Sequence, residues 1–589
     1  MLKSHLSPTH RRRRSAPAAT GLPVRIRRRS ESVTVPRELE ALMQSLYQNR
    51  GASRDQSCTL AGLHPVEQLH GSASAAALLA RAITEGQRIL IVGDYDADGA
   101  TGSAVALLGL RALGAAATDH LTPSRFTDGY GLSPALVEVA ATRAPDLIIT
   151  VDNGIASLAG VERANALGIP VLITDHHLPG AQLPAAAAIV NPNQPGCAFP
   201  SKSLAGVGVI FYLLVATRAC LRARGWFGAQ RPEPNLAAWL DLVALGTVAD
   251  VVALDQNNRI LVEQGLRRIR HGRCRPGLRA LLEIGGCRVE QVTARDLGFV
   301  AGPRLNAAGR LEDMSIGVEC LVTDDPVRAM QLARELDRLN RQRRELEFEM
   351  REAAETLVAQ LSSSDQELPP GLCLFGKDWH QGVIGIVASR LKEHYHRPVI
   401  VFARGDDGRL RGSARSIDGL HLRDLLAAID RRHPGLMERF GGHAMAAGVT
   451  MAEAHLEVFR QAFIATVAAE LGAVAQVREI LSDGELASSL LSLETATALR
   501  LAAPWGKGFP EPVFDGEFAI SEVRVIKDQH LKLRAQTNDG IAIDAIGFQL
   551  AACKAELGTR AHLAYRLDVN DYRGLRQPQL ILEHAQSVD

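Results

Sequence analysis

Three aspartates crowd one short segment of the sequence, VGDYDADGATG at residues 92–102. Asp94, Asp96 and Asp98 stand at alternate positions directly after an apolar run. Carboxylates packed this closely repel one another, and burying them is costly unless a positive charge lies among them. A divalent metal ion would supply that charge. The spacing therefore suggests a metal site, although a plain turn is the usual interpretation of an isolated Asp-x-Asp-Gly.

Three further clusters downstream strengthen the metal interpretation. Asp152 follows a second apolar run in VDNG, and Asp175, His176 and His177 follow a third in TDHH. Asp250 ends an apolar, helix-like stretch in GTVADVV. Carboxylate and imidazole ligands together suit Mn²⁺ or Mg²⁺, and histidine favours Mn²⁺. Several carboxylates around one point suggest two ions about 3.5–4 Å apart, an arrangement that promotes in-line attack on phosphorus.

The apolar runs that precede these clusters predict a parallel sheet. The runs RILIVGDYD, DLIITVDNG and IPVLITDHH begin near residues 88, 146 and 169. Each is rich in β-branched residues and nearly continuous in apolar character, as are strands buried on both faces. Helix-like segments separate them, which predicts right-handed crossovers in an α/β domain. Because ligands bind at the carboxyl ends of such strands, the polar clusters are expected to meet at one site.

The remaining sequence predicts three more regions after a first domain over 36–325. Residues 327–361 contain no Gly or Pro, so one long connecting helix is expected over 326–361. A second, smaller α/β domain is expected over 372–470. Short alternating runs over 476–589 predict a small antiparallel β domain, for which a barrel of the OB type is a candidate.

Composition indicates a multidomain globular protein of a reducing compartment. The chain has 589 residues, of which 46% are hydrophobic and 22% charged, and a single core rarely serves this length. The 8 cysteines include no C-x-x-C pair, which argues against a zinc module or a disulfide framework and favours the cytoplasm. We judge the apolar runs too short to span a membrane, so no membrane partner is expected.

Basic charge is concentrated at the start of the chain. Residues 1–30 contain nine Lys or Arg and no acidic residue, and since the whole chain carries a net charge of +1, the remainder carries −8. A polyanion-binding surface on the remainder must therefore be a local groove. Residues 1–35 could be a nucleic-acid-binding arm or an organelle transit peptide. Pro8, Pro17 and Pro23 would break an amphipathic helix, so we favour a solvated, disordered tail.

The motifs DYDADG, VDNG, TDHH and GTVADV, in this order, resemble the four motifs of the DHH phosphoesterase superfamily. Within that superfamily, RFTDGYGLS, NPN, FPSKSLAGVGV, GPRLNAAGRLED, WHQGVIGIVASR and FGGHAMAAG are similar to the RecJ family of bacterial single-strand-specific exonucleases. The resemblance covers nearly the whole chain after the basic tail. It implies a DHH catalytic domain, a DHH-associated domain and a nucleic-acid-binding OB-fold. The implied activity is 5′→3′ degradation of single-stranded DNA to 5′-mononucleotides by two divalent ions, in DNA repair and recombination.

The resemblance also implies roles for individual residues. The expected metal ligands are Asp96, Asp98, Asp152, His176 and Asp250, with Asp152 bridging the two ions. His177 would lie beside the scissile phosphate, and Asp94 and Asp175 would orient the catalytic groups. Guanidinium groups suit phosphate oxygens, and glycine lets a nucleic acid backbone approach closely. The expected substrate contacts are Ser413 and Arg415 on a turn, together with Arg125 and Arg310 from two other motifs. A second tight turn, formed by Gly441, Gly442 and His443, is expected at the same cleft.

Two other functions compete with this interpretation. A DHH phosphodiesterase of short oligonucleotides or cyclic dinucleotides would not need the long helix and the additional β domain. A non-catalytic, strand-binding replication factor would not need the intact ligand motifs. The partners implied by the resemblance are single-stranded DNA, the single-strand-binding protein and a RecQ-type helicase.

Overall fold

The structure is a computed structural model that describes residues 24–30, 36–54, 58–362, 368–471, 478–572 and 574–588. It divides into two compact units. The described residues within 56–473 and 503–510 form the two-sheet unit, and those within 1–55, 474–502 and 511–589 form the barrel unit.

The strands in chain order are β1 (Val24–Arg28), β2 (Arg88–Gly93), β3 (Ala117–Leu121), β4 (Leu147–Val151), β5 (Val171–Thr174), β6 (Ala188–Val190), β7 (Leu372–Gly376), β8 (Val399–Arg404), β9 (Leu410–Arg415), β10 (Arg439–Gly442), β11 (Ala446–Met451), β12 (Arg478–Ser482), β13 (Phe514–Ile526), β14 (His530–Gln536), β15 (Ala542–Gly547), β16 (Arg560–Tyr572) and β17 (Leu575–Ser587).

The α-helices in chain order are α1 (Leu39–Gln48), α2 (Ser72–Thr84), α3 (Ala97–Leu113), α4 (Pro134–Ala141), α5 (Leu158–Ala166), α6 (Gly206–Ala223), α7 (Leu240–Ala249), α8 (Gln256–Arg270), α9 (Pro276–Ile284), α10 (Ala294–Asp296), α11 (Gly302–Leu311), α12 (Ser315–Val322), α13 (Pro326–Ser362), α14 (Ile384–Tyr395), α15 (Leu422–Arg432), α16 (Leu456–Leu471) and α17 (Leu493–Leu501).

The first sheet of the two-sheet unit is parallel throughout, in the order β3-β2-β4-β5-β6. Its central strands β2, β4 and β5 are the three predicted from the apolar runs, and they are buried almost throughout. Gly93 is the register partner of Val151, which in turn is the partner of Thr174. The three strands therefore end level, and the polar residues that follow them emerge at one edge of the sheet.

Helix α6 requires a correction to the sequence analysis, which judged every apolar run too short to span a membrane. By length and composition alone its 18 residues could do so, since their mean hydropathy is 1.5. In the two-sheet unit, however, α6 packs against α2, α3 and α7, and 61% of it is buried. Core helices of globular domains pass the same test, and these contacts identify α6 as a core helix.

The second sheet has the order β10-β11-β9-β8-β7 and is antiparallel except for the pair β7–β8. The predicted long helix is present as α13, which contains 37 residues. Its first half packs against α9, α11 and α12, and its later residues Met350, Ala354 and Val358 share a core with β7, β8 and α14. The helix thereby fixes the second sheet to the helices around the first.

The barrel unit contains the closed barrel β13-β14-β15-β17-β16. The sequence predicted an antiparallel domain, and this is wrong for one pair, because β15 and β17 run parallel. That parallel pair closes the barrel. The apolar side chains of α1 and α17 pack on the same core as the barrel strands.

The expectation of a disordered tail over residues 1–35 is wrong for Val24–Arg28. These residues form β1, which pairs in parallel with β12. Arg28 donates two hydrogen bonds to the buried carboxylate of Asp515 at 3.1 and 2.9 Å, and Arg27 pairs with Glu479 at 2.9 Å. Part of the basic charge is thus neutralised by acids of the barrel unit, which are too distant in sequence for a local pattern to indicate. Residues 1–23 and 31–35 lie outside the described residues.

Candidate metal centre

The first aspartate cluster forms the loop between β2 and the amino end of α3. Asp96 caps this helix, because its Oδ1 accepts hydrogen bonds from the backbone N–H of Asp98 at 2.9 Å and Gly99 at 3.0 Å. The side chain of Asn306, on α11, accepts a further bond from the N–H of Ala97 at 2.9 Å. Capping of the free N–H groups at a helix start explains why this carboxylate takes a fixed position.

Asp98 belongs to the first turn of α3, and its side chain also contacts the amino end of a second helix, α6. Its Oδ2 accepts from the N–H of Gly206 at 2.6 Å and its Oδ1 from the N–H of Val207 at 2.9 Å, at the amino end of α6. A helix amino end favours negative charge. A β-carbon on Gly206 would lie 2.6 Å from that of Asp152. Glycine at this position therefore allows α6 to approach both carboxylates.

Asp152 follows β4 with a strained backbone. Its φ is +62°, a left-handed conformation that is uncommon outside glycine. The residue is buried, its N–H donates to the carbonyl of Thr174 at 3.0 Å, and its Oδ1 lies 3.1 Å from Nε2 of His176. Such strain persists where the surrounding structure fixes it and is frequent at functional sites.

His176 brings the clusters together. Besides Asp152, its Nε2 lies 3.5 Å from Oδ2 of Asp250, at the carboxyl end of α7, and 3.9 Å from Oδ2 of Asp98. In three groups, all the potential ligand atoms lie within 4.8 Å of one another. These groups are Asp98, His176 and Asp250; Asp94, Asp96 and Asp152; and Asp152, His176 and His177. All five expected metal ligands and Asp94 thus converge on one place.

Burial and mutual repulsion shift the pKa values of the carboxylates in the cluster. Burial first, and then the neighbouring carboxylates, raise the pKa of Asp152 and Asp250 well above their usual range. The same causes raise the pKa of Asp94 to about 8 and that of Asp98 to about 7. Burial lowers the pKa of His176 to about 4, so its neutral imidazole cannot offset these charges.

Three buried atoms of the cluster, Oδ1 of Asp94, Oδ1 of Asp152 and Nε2 of His176, have no hydrogen-bond partner. Buried polar atoms are normally paired, and these are lone-pair donors of the kind that bind divalent ions. The residues present therefore fit a metal centre. Asp94 was expected only to orient other groups, but its unpaired Oδ1 places it among the potential ligands.

His177 and Asp175 form a hydrogen-bonded pair beside this cluster. Nδ1 of His177 lies 2.8 Å from Oδ1 of the buried Asp175, and the hydroxyl of Tyr130 lies 3.0 Å from the same nitrogen. Burial disfavours the imidazolium, but the bond to Asp175 and the surrounding carboxylates raise the pKa of His177 to about 9. Burial likewise opposes ionisation of Asp175, yet His177 lowers its pKa below the usual range.

Arg125 and Arg310 lie beside the aspartate loop, and Arg343 and Arg415 are close enough to Arg310 to act on its pKa. Arg125 lies 3.9 Å above the ring of Tyr95 and donates to the carbonyl of Gly309 at 3.1 Å. Arg310 donates to the carbonyl of Gly382 at 3.2 Å, and a β-carbon on Gly309 would meet the carbonyl oxygen of Tyr95. Burial lowers the pKa of Arg310, as do the charges of Arg125, Arg343 and Arg415.

This group of arginines contains few compensating acids. Arg343, on α13, is paired with Glu347 at 2.5 Å. Arg125 and Arg310 donate to backbone carbonyl oxygens, and neither they nor Arg415 forms an ion pair with a carboxylate of the described residues. Nη1 of Arg415 instead donates to Oγ of Ser413 at 3.0 Å and to the carbonyl of Ala414 at 2.8 Å. These three half-buried guanidinium groups are of the kind that bind phosphate oxygens.

The expected turn at Ser413 and Arg415 is wrong, whereas the expected turn at Gly442 and His443 is the tight hairpin between β10 and β11. Ser413 and Arg415 lie on strand β9 rather than on a turn, and both point toward the amino end of α14, where a β-carbon on Gly385 would lie 3.0 Å from each. Gly441 and Gly442 end strand β10, and His443 opens the hairpin to β11, its N–H donating to Ala446 at 2.8 Å. Alternation of polar and small residues in GSARS did not distinguish a strand from a turn.

Tyr130 and Arg343 were missed by the sequence analysis. Tyr130 stands in the motif RFTDGYGLS, which the resemblance had already marked, so the signal for it was present. Arg343 is one of many charged residues on α13, and nothing local separates it from the solvated arginines of that helix. Only the packing of α13 between the two sheets places it with Arg310.

Family sequence models match the three parts of the chain. The DHH family N-terminal domain matches residues 88–247, the DHHA1 domain matches residues 367–469, and the RecJ OB domain matches residues 482–584. A curated relative from Dickeya dadantii, the single-stranded-DNA-specific exonuclease RecJ, is 53% identical over 95% of this chain and 98% of that protein. The chain belongs to the RecJ family.

Other RecJ proteins agree with this assignment. The Escherichia coli relative of the same description is 50% identical over 95% of this chain and 99% of its own length. Two solved structures are of RecJ from Thermus thermophilus, one in complex with Mn²⁺ and one with Mg²⁺. The first has a TM-score of 0.78 and 31% identity over 96% of this chain and 80% of that chain. The second has a TM-score of 0.71 and 30% identity over 96% of this chain and 79% of that chain.

Membership of the RecJ family confirms the predicted fold class. The parallel sheet and its helices belong to the DHH part, the second sheet to the DHHA1 part and the closed barrel to the OB part. It also identifies the chain as a nuclease of the DHH family.

Proposed function

We propose that the protein removes nucleotides from single-stranded DNA in the 5′→3′ direction and releases 5′-mononucleotides. The observation that carries this proposal is that a buried cluster of carboxylates and a group of arginines lie side by side in one unit. The two groups meet at Tyr95, between Asp94 and Asp96, because the guanidinium of Arg125 lies 3.9 Å from its ring. A strand whose terminal phosphate binds the arginines would bring its first phosphodiester to the cluster.

We propose that Asp96, Asp98, Asp152, His176 and Asp250 hold two Mn²⁺ or Mg²⁺ ions, with Asp152 between them and Asp94 as a further ligand. The crystallised relatives bind one or the other of these ions. When bound, such ions lower the pKa of water and stabilise the charge that develops on phosphate oxygens. The unpaired Oδ1 atoms of Asp94 and Asp152 and the unpaired Nε2 of His176 support this assignment.

The chain's own groups would orient the scissile phosphate. Asp175 holds Nδ1 of His177, and its other hydrogen bonds, from the N–H groups of His176 and Ile155 at 2.7 and 2.9 Å, fix the carboxylate in turn. His177 is then positioned to donate a hydrogen bond from Nε2 to a phosphate oxygen. Tyr130, whose hydroxyl lies 3.3 Å from that nitrogen, would limit the movement of the ring.

Direction would come from the arginine pocket. Arg125, Arg310, Ser413 and Arg415 would bind a terminal 5′-phosphate at a fixed distance from the cluster, since Arg125 is close enough to Asp94 to act on its pKa. The amino end of α14, beside Ser413 and Arg415, would add backbone donors for the same phosphate. Gly441, Gly442 and His443 would border the bound DNA strand. They lie near His177, because burial and then the charge of His177 lower the pKa of His443.

Other roles in the cell follow from the same proposal. The OB part would hold single-stranded DNA in a groove, as barrels of this type do. We propose a cytoplasmic protein that acts in DNA repair and recombination, with the single-strand-binding protein and a RecQ-type helicase as partners. Both partners come from the family resemblance alone.

The test is digestion of one oligonucleotide labelled at its 5′ end or at its 3′ end, in Mn²⁺. The 5′ label should appear at once as a mononucleotide, and the 3′ label should remain on progressively shorter strands. Asp152→Ala should reduce the rate by several orders of magnitude. The matched control is Asp146→Asn, at the opposite end of β4, where the carboxylate bonds to the N–H of Arg88 at 2.8 Å. Early release of the 3′ label, or an active Asp152→Ala, would contradict the proposal.

A further inference from the structure

A short segment late in the sequence belongs to the two-sheet unit. Residues 503–510, with the sequence APWGKGFP, are flanked on both sides by residues of the barrel unit, yet they pack with residues 56–473. The backbone N–H of Leu254 donates to the carbonyl of Lys507 at 2.7 Å. Leu254 lies four positions after Asp250, so the segment is attached directly behind one carboxylate of the metal centre.

Two aromatic residues anchor this segment. Trp505 and Phe509 are buried and stack on each other, with ring centroids 5.3 Å apart and planes inclined by 12°. The guanidinium of Arg259, on α8, lies 4.3 Å from the centroid of Phe509. A buried aromatic pair of this kind contributes strongly to packing. The attachment is therefore part of the folded core and does not depend on Lys507.

Lys507 lies at the tip of a tight turn. Gly506 and Phe509 exchange two backbone hydrogen bonds, at 2.9 and 3.1 Å, which leaves only Lys507 and Gly508 between them. Gly508 has a φ of +75°, as glycine has at the third position of a type II turn. The backbone thus holds Lys507 in place. Its side chain is exposed and has no ion-pair or hydrogen-bond partner among the described residues.

Electrostatic effects on the aspartates indicate on which side of the metal centre Lys507 lies. Burial and the neighbouring aspartates raise the pKa of Asp250, and among the nearby charges that act in the opposite direction are His177 and Lys507. For Asp94, the arginine that acts in this way is Arg125 of the phosphate pocket. Arg125 of the proposed phosphate site therefore lies near Asp94, whereas the ammonium of Lys507 lies near Asp250.

The chain directly after Asp250 reaches solvent at Val251. Val251 has a left-handed φ of +60° and is 59% exposed, which is unfavourable for a β-branched apolar residue. A polyanion leaving the Asp250 side would meet Lys507.

We propose that Lys507 binds a backbone phosphate of the strand on the 3′ side of the scissile bond. The proposal rests on the proposed function, since it takes the strand to enter the cluster from the Arg415 side. Lys507 is a positioning residue in this account: it fixes the register of the following nucleotides and does not touch the reacting atoms.

The experiment compares Lys507→Gln with the wild-type protein on a 5′-phosphorylated single strand. Each phosphate contact on a single strand contributes about 0.7 to the slope of log KM against log salt concentration. Loss of one contact should therefore lower this slope by about 0.7 and raise KM about fourfold at 0.15 M salt. The value of kcat should stay unchanged. Lys507→Arg should restore both quantities. Lys392→Gln, in the last turn of α14, removes an equal charge elsewhere in the two-sheet unit and should have no effect.

A chemical scan locates the phosphate. Strands with one uncharged methylphosphonate at each of the first six linkages should include one position that raises KM for the wild-type protein but not for Lys507→Gln. Equal KM and equal salt slope in both proteins would overturn the inference, and so would a variant that remains sensitive at every position. Failure of the proposed function would look different, because the wild-type protein would then not degrade the strand from its 5′ end.

Discussion

Replacing Arg415 with alanine should remove much of the preference for a 5′-phosphorylated end. In the structure, Nη1 of Arg415 is held by Ser413 and Ala414, at 3.0 and 2.8 Å. This fixes the plane of the guanidinium and leaves its other donors for a phosphate. A hydrogen bond to a charged group contributes about 1.5–3 kcal/mol, and about 1.4 kcal/mol corresponds to a factor of ten. The loss should therefore be about ten- to hundredfold in kcat/KM on phosphorylated strands.

The lower half of that range is expected, because two further arginines remain in the pocket. Arg125 and Arg310 still face the phosphate, and removing Arg415 relieves part of the repulsion that lowers the pKa of Arg310. Because this repulsion is relieved, Arg415→Ala should have the melting temperature of the wild-type protein or a slightly higher one. Burial and the charge of Arg125 lower the pKa of Arg415, so the folded protein does not favour its charged form.

The assay measures kcat/KM on one oligonucleotide with and without its 5′-phosphate. The matched control is Arg411→Ala, which lies on the same strand but pairs with Asp407 at 2.8 Å, outside the pocket. Arg415→Ala should bring the ratio of the two rates toward one, while Arg411→Ala keeps the wild-type ratio. If Arg415→Ala keeps the wild-type ratio, or loses activity equally on both ends, Arg415 does not bind the 5′-phosphate.

Two further predictions concern stability. In EDTA, the melting temperature should fall as the pH rises from about 4 to about 8, because folded Asp98 and Asp94, with pKa values of about 7 and about 8, retain protons that the unfolded carboxylates have lost. Excess Mn²⁺ should remove this decline, and a melting temperature in EDTA that is constant or rises with pH would contradict the metal-site electrostatics. Deleting residues 1–30 should destabilise the barrel unit by about 1–3 kcal/mol, because the buried carboxylate of Asp515 loses its bonds to Arg28. Hydrogen exchange of the barrel strands measures this loss, and a variant that lacks only residues 1–22 is the control. Equal exchange rates in the two deletion variants would show that β1 does not stabilise the barrel.

The position of the candidate site was predictable because it depends on a general property of parallel sheets. Asp96, Asp152 and His176 each follow an apolar run, and strands of one parallel sheet deliver the residues after them to one edge. The order of the motifs then identified the family. Neither inference required knowledge of contacts between distant parts of the chain.

The features that were missed depend on such contacts. Val24–Arg28 forms a strand only because β12, more than 400 residues later, provides its partner. Arg343 and Lys507 gain their significance from packing, one through α13 and one through the segment that carries Trp505 and Phe509. In the sequence each is an ordinary basic residue, with no spacing or composition that separates it from its neighbours.

The most direct test of the account is a crystal structure with Mn²⁺ and a 5′-phosphorylated oligonucleotide that resists hydrolysis, with anomalous scattering measured at the manganese edge. We expect two anomalous peaks among Asp96, Asp98, Asp152, His176 and Asp250, with Asp152 contacting both. The 5′-phosphate should lie against Arg415 and the next phosphodiester against the two ions. A single peak, peaks away from Asp152, or a 3′ end in the arginine pocket would contradict the account.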